Sequence, residues 1–458
     1  MGHKFGVGSA FIFALLSAAA IGAATLPGAA RAQTPVFFGS SDDPREHEQR
    51  FWWERDQVLD VMGGFSLIAA QWRTAASFTL NLAARRLAAR LSGTLRAGIY
   101  GTYRPDFDEA YDALRLIEYA RLPLQPRSRF YLRAGPIERM RLGSGHVVDF
   151  FNSRVAWDER TVGVETMWRT RPLEAAAFTD NVLLDGVTGA RVALSPLFFA
   201  RNYRARSLQL GFNYTTDLAP RPPGVPRLTA YNLDARFDAF RSGALTLSPF
   251  VSVAWFDGFG NGLFFGADLH SENFIDLARF RFRLALHYNS KRFIPSYFDA
   301  FYTVNNLHAR ILRTEDVGDA AGETFAGVAL GDADGGNDIV TELRLYLFSG
   351  FEFWYAFRRH YGSQALSTYH LRLYLRARRF SLYIGQDRGG LRSFFSLLND
   401  LGDQSALVFR TDYRFFRHFR IYVRARYTYE RIGDGADGTE RYLVQRRFEP
   451  LTGIRMTF

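Results

Sequence analysis

The sequence predicts an all-β chain: a transmembrane antiparallel up-and-down β-barrel of about 18 strands, with 16 and 20 as the neighbouring counts. Three observations predict it. Stretches of about ten residues alternate apolar with polar side chains. Short turns alternate with long polar connections. The chain opens on an export segment and closes on an alternating strand that ends in Phe458.

The export segment comes first. Lys4 supplies the positive region, residues 9–26 (SAFIFALLSAAAIGAATL) the apolar stretch, and ARA at 30–32 a cleavage site before Gln33. Removing 32 of the 458 residues leaves 426 and takes the net charge from +11 to +9, because Lys4 and Arg31 go and no acid does. Beyond residue 32 no apolar run approaches the ~20 residues of a spanning helix. The sequence has no cysteine, which excludes disulfides, thiol catalysis, Cys-based metal sites and an acylated-Cys anchor. Residues 33–60, with DPREHEQRFWWERDQ at 43–57, read as a short charged periplasmic arm. The barrel is expected over 61–458.

The strands follow from period. Side chains on a strand alternate faces, so a strict two-residue period marks a half-buried strand. Residues 419–430 (FRIYVRARYTYE) set Phe419, Ile421, Val423, Ala425, Tyr427 and Tyr429 against Arg420, Tyr422, Arg424, Arg426, Thr428 and Glu430. The same alternation runs through 231–239, 278–288, 341–348 and 370–379. An apolar face toward lipid and a polar face toward a lumen explain it, and closure leaves no unpaired backbone edge in hydrocarbon. Tyr427 and Tyr429 are expected in an interfacial girdle. Tight turns at 349–350 and 416–418 alternate with polar segments at 314–337, 360–367, 389–404 and 431–445, the asymmetry of an outer-membrane barrel. Residues 138–158 and 290–303 do not fall neatly on either side of this pattern.

The candidate site is a ladder of arginines on polar strand faces: Arg279, Arg281, Arg283, Arg344, Arg372, Arg376, Arg378, Arg420, Arg424 and Arg426. Apart from Lys4 and Lys291, all 57 basic residues are arginine. Guanidinium groups lining a bore attract anions, and they also pair with Asp and Glu as a structural lattice. Residues 141–154 (RLGSGHVVDFFNSR) follow the alternating strand 129–135. They read either as an ordinary connection or as a loop folded into the pore as a constriction, through Gly143, Gly145, His146, Asp149 and Asn152. Asp332, Asp334 and Asp338 in GDADGGND are weak metal candidates, without the spacing of a calcium loop. No catalytic motif surrounds any of the nine histidines, so no enzyme activity and no cofactor are expected.

The terminal LTGIRMTF (451–458), ending in Phe458, resembles the signature that the barrel-assembly machinery reads in outer-membrane barrels. With the ladders and RTVGVETMWR (160–169), the chain resembles substrate-specific porins and alginate-export-type barrels. That resemblance is architectural. It implies a location in the outer membrane of a Gram-negative-type cell, with lipid and lipopolysaccharide around a monomer and no nucleic-acid partner. It implies passive diffusion of small hydrophilic, preferentially anionic solutes. Export of an anionic polysaccharide, or a blocked barrel with an enzymatic, adhesive or structural role, are the alternatives.

Overall fold

The computed structural model describes residues 57–458 apart from 85–86, 100, 123–129, 171, 221–226, 275–277, 306–308, 313–327, 349, 365, 392–403, 417 and 435–439. The export segment and nearly all of the expected arm lie outside the described residues.

Among the described residues twenty strands form one closed antiparallel ring. The first five are β1 Val58–Ile68, β2 Gln71–Ala83, β3 Ala88–Gly98, β4 Ile117–Leu122 and β5 Phe130–Gly135. Next come β6 Gly163–Arg169, β7 Leu173–Thr179, β8 Val187–Leu194, β9 Gln209–Asp217 and β10 Thr229–Arg236. Then follow β11 Leu245–Phe256, β12 Asn261–Phe274, β13 Ala278–Asn289, β14 Gly336–Leu347 and β15 Phe351–His360. The ring ends with β16 Ser367–Arg376, β17 Phe380–Leu391, β18 Ser405–Arg414, β19 Phe419–Asp434 and β20 Glu440–Thr457. Each strand pairs with its sequence neighbour, and β1 pairs with β20, from Val58 opposite Thr457 to Ile68 opposite Arg447. The count is twenty rather than eighteen. β4 to β8 are strands of six to eight residues, so this stretch holds more strands per length of chain than an average of about 22–25 residues per strand allows. The ring also starts at Val58, so the last residues assigned to the arm are barrel.

The two faces of the ring obey opposite rules. Outward positions carry exposed apolar residues such as Val61, Phe65, Leu95, Val192, Phe212, Leu233, Val253, Leu284, Ile421 and Ile454. Inward positions carry buried polar ones, such as Asp60, Asn213, Asp234, Asp268, Glu342, Arg344, Asp387 and Glu449. A water-soluble fold would bury the first set and expose the second, so this is a transmembrane β-barrel of the outer-membrane type. Trp72 at the loop end of β2 and Trp168 at the opposite end of β6 are exposed, as interfacial aromatics are. Tyr427 and Tyr429 are not. Both are buried, because the β19–β20 hairpin rises past the rim and is wrapped by residues 155–156 and 300–304. The Tyr429 amide donates to the Val155 carbonyl at 3.3 Å, which replaces the neighbour strand that β18 no longer supplies.

Both chain ends of the ring and the tight turns 348–350 and 377–379 share one end. The described parts of the connections 99–116, 136–162 and 290–335 share the other, while 195–208 lies at the tight-turn end. Segments 136–162 and 290–305 fold back into the bore. Together they build an apolar core inside it from Ile137, Met140, Leu142, Val147, Val148 and Phe151 against Phe293, Phe298 and Tyr302. Burial of each such side chain is worth roughly 1.5–3 kcal/mol, enough for the two segments to hold one docked position.

Candidate functional site

Segment 136–162 is a narrow hairpin. Met140 and Phe151 bridge antiparallel, and the Leu142 amide donates to the Val148 carbonyl at 3.2 Å. The tip needs left-handed backbone at Gly143 (φ 63°) and Gly145 (φ 88°). A Cβ at Gly143 would stand 2.6 Å from Asn213 Nδ2, 2.7 Å from Arg191 Nη1 and 2.8 Å from Asp234 Oδ2, so glycine is also required by the wall. Asn152 turns the return limb, its Oδ1 accepting from the Arg154 amide at 2.9 Å.

The hairpin touches the ring all the way round. Its Ser144 carbonyl accepts from Arg283 Nη1 on β13 at 2.9 Å. Arg141 donates to its own segment at Asp149 (2.7 Å) and to Glu342 on β14 (2.8 Å). Phe150 stacks on His370 of β16 with ring centroids 4.0 Å apart. Arg154 pairs with Glu118 of β4 and with Glu138. Asp158 accepts from Arg447 Nη1 of β20 at 3.0 Å and from the Tyr103 hydroxyl at 2.9 Å. Burial alone would raise Glu138, but Arg154 and Arg410 hold its carboxyl down at about 2. The predicted residues Gly143, Gly145, His146, Asp149 and Asn152 therefore come together in a segment that crosses the bore.

The arginine ladder separates into two populations. The deeper members are paired. Arg283 donates to Asp268 from Nε (2.7 Å) and Nη2 (3.1 Å), and Arg344 to Glu352 from Nε (2.8 Å). Arg372 meets Asp387 at 2.9 Å. Arg420 bridges Asp60 (3.4 Å) and Asp412. Arg424 donates to Glu449, which also takes Arg96 and lies 3.8 Å from Arg426. Arg426 sits over the Trp157 ring at 3.2 Å, and Arg279 over Tyr346 at 5.0 Å. Arg281 faces Arg344 across the β13–β14 pairing. The second population is Arg376 and Arg378, exposed at the tight-turn end, with no ion pair among the described residues.

Those two arginines border a cavity of about 240 Å³ that opens toward the tight-turn end, since Ala377 to Ser381 form part of its wall. Among the described residues thirteen arginines and five carboxylates line it. The carboxylates are Asp60, Glu118, Glu138, Glu165 and Asp412. Its inner end is closed by Glu138, Arg139 and Arg154 of the hairpin. Arg133, Arg139, Arg154, Arg410 and Arg414 were not among the predicted residues. Arg410 and Arg414 do alternate with Asp412 in VFRTDYR, a signal of the same kind as the ladders.

The acidic candidates do not form a metal site. Asp338 points inward and accepts from Asn289 Nδ2 (2.9 Å), beside His360 Nδ1 (2.6 Å) and His287 Nδ1 (3.3 Å). Asp334 instead accepts from the Ser363 hydroxyl at 2.7 Å, and Asp332 offers only its carbonyl, to Gln364. Among the described residues no cluster of His, Asp or Glu has a metal-holding arrangement. Phe458 is exposed and follows β20, its amide donating to the Gln57 carbonyl at 3.1 Å.

No protein-family model and no curated protein matches the sequence. Among solved structures the chain is similar to Wzi of Escherichia coli, an outer-membrane protein of group 1 capsule assembly described as a carbohydrate-binding β-barrel. That match has 11% identity over 93% of this chain and 90% of that one, with a TM-score of 0.35. It is also similar to OccK9 (OpdG) of Pseudomonas aeruginosa, at 10% identity over 88% and 98% with a TM-score of 0.35. OccAB2 of Acinetobacter baumannii matches at 11% identity over 88% and 98%, with a TM-score of 0.31.

Proposed function

We propose that the protein is an outer-membrane channel for small hydrophilic anions, closed in this conformation by the segments folded into its bore. The observation that carries the reading is the cavity at the tight-turn end, where arginines outnumber carboxylates thirteen to five. Tight turns face the periplasm in barrels of this type, so the basic vestibule would open to that side. Such a concave basic wall concentrates anions and repels cations. Passage then requires movement of residues 136–162, because the arginines beyond the vestibule are paired with carboxylates and the hairpin spans the space between them. Residues 1–32 serve as the export signal in this reading, and Phe458 as the mark for the assembly machinery.

The test is conductance in a planar bilayer under a KCl gradient, for the mature protein and for a variant with residues 141–150 replaced by two glycines. The Met140–Phe151 bridge makes that short closure sterically direct. The mature protein is expected to be closed for most of the time. The shortened variant is expected to conduct steadily with anion preference. Arg376→Glu together with Arg378→Glu should move its reversal potential toward cations. A cation-selective shortened barrel would remove the anion claim, and one that does not conduct would remove the channel reading.

A further inference from the structure

One contact between the hairpin and the wall has an unusual chemistry. His146, at the hairpin tip, is fully buried. Its ring stacks on His287 of β13 with centroids 5.2 Å apart and planes 10° from parallel. Phe264 and Phe293 enclose it at 5.5 Å and 5.3 Å. Its Nδ1 lies 3.2 Å from the Ser252 hydroxyl, which already accepts from Asn232 Nδ2 at 2.7 Å. Nδ1 and the Ser252 hydroxyl share one hydrogen bond, in which either can donate according to the tautomer. Nε2 has no hydrogen-bond partner among the described residues.

The charged surroundings do not offer this ring a counter-ion. Asp338 of β14 is engaged with His360 of β15, Asn289 and His287, so His287 stands between it and His146. Asp149, on the hairpin, is bound by Arg141. Arg283 of β13 and Arg358 of β15 add positive charge nearby, the first on the Ser144 carbonyl and the second on that of Pro295. Glu342 of β14 is taken by Arg141. A doubly protonated His146 would carry an Nε2–H with no acceptor among the described residues and would place a cation between Phe264, Phe293 and His287.

We infer that His146 is a proton-operated latch: the hairpin is held in the bore while this ring is neutral and is released when acid protonates it. The inference rests on the reading of residues 136–162 as the movable closure. The docked ring is held below its ordinary range by burial first and by His287 second, with Asp338 opposing. The released ring, in water, titrates near its ordinary value of about 6.5. Release is therefore coupled to proton uptake. One such group raises the released-to-docked ratio about tenfold between pH 7.5 and 5.5.

Two readouts test it, on the full mature barrel. The first is channel open probability from pH 7.5 to 5.5, for the natural protein and for His146→Phe. Phenylalanine keeps the ring among Phe264 and Phe293 and cannot take a proton. The second uses the absence of cysteine in the sequence. Val148→Cys, buried at the docked hairpin, is labelled with a small maleimide, and its rate is divided by that of the same cysteine in a His146→Phe background. The quotient cancels the pH dependence of the thiol. The expected result is a rise of about tenfold on acidification in the natural protein's open probability and in the labelling quotient, with no acid rise in the open probability of His146→Phe. Acid opening that persists in His146→Phe, or a natural protein without acid response, overturns the latch. If the variant with residues 141–150 replaced conducts while the latch fails, the channel reading stands. If it does not conduct but the labelling quotient still rises, the latch stands and the channel reading falls.

Discussion

Arg141→Met is the substitution whose effect follows most directly from the geometry. Arg141 has a side chain 3% exposed and is the ionic tie between the hairpin and the β14 wall, at Asp149 on one side and Glu342 on the other. Methionine fills the apolar part of the space beside Phe150 and gives up both ion pairs. Breaking a buried pair by removing one partner costs about 3–5 kcal/mol, because the other charge is left without compensation. Two features place the loss at the lower end. Glu342 keeps the indole N–H of Trp354 at 3.0 Å, and Asp149 is partly open to solvent. A loss of about 3 kcal/mol in the docked state multiplies the undocked-to-docked ratio by roughly a hundred. Single-channel recording at pH 7.5 should show this as a matching gain in open probability. Adding Glu342→Gln removes the stranded charge and keeps an acceptor for Trp354, so the double variant should recover more than half of the closure. A single variant as closed as the natural protein would refute the assignment of Arg141 as the tie. So would a double variant that opens further than the single one.

Glu449→Gln should destabilise the whole barrel by about 3–5 kcal/mol, because Arg96 and Arg424 both donate to this one buried carboxylate; chemical unfolding in detergent reads it directly. Gly143→Ala should loosen the hairpin without unfolding the ring, since its Cβ meets Asn213, Arg191 and Asp234 below 3.0 Å at a φ of 63°; faster proteolysis confined to residues 136–162 is the expected signature. Asp180, in the connection after β7, is pushed up to about 8 by burial and by the neighbouring Asp217. The folded state thus keeps a proton that the unfolded chain loses near 3.8, so its contribution is full below that value and is lost as pH rises through about 8. The melting temperature should fall between about pH 4 and pH 8 and level off above, and Asp180→Asn should flatten that slope.

Much of the ring was legible because its rule is local. A strand between lipid and a polar lumen must alternate, and residues 278–288, 341–347 and 370–376 do so within their strands. The rule fails where a strand is short or leaves the membrane. β4 and β6 to β8 offer few residues for the period to register, although β5 still shows it at 130–135. Tyr427 and Tyr429 keep the alternation above the rim, where the environment that gives it meaning has ended. Segments 138–158 and 290–303 broke the pattern for a third reason: they lie inside the barrel and face protein on every side, so neither period applies to them. The ladder positions could be read, but their partners could not. Arg141 and Glu342 stand 201 residues apart, and nothing in either local sequence points to the other. What separates a paired arginine such as Arg372 from the exposed Arg376 is the tertiary neighbour, which is why the two looked alike in sequence and differ in place.

The position of Glu449 has a consequence for how the barrel is made. This carboxylate lies on β20, the last strand, yet it serves Ser66 of β1, Arg96 of β3 and Arg424 of β19. The neighbouring Arg447 secures Asp158 of the hairpin, and Arg455 secures Asp60 of β1. Until the eighteen residues of β20 are inserted, Arg96 of β3, made 353 residues before Glu449, keeps only Asp106, and Asp60 of β1 lacks Arg455. A nascent chain cut short before β20 is thus left with a seam it cannot shut and buried charge it cannot neutralise.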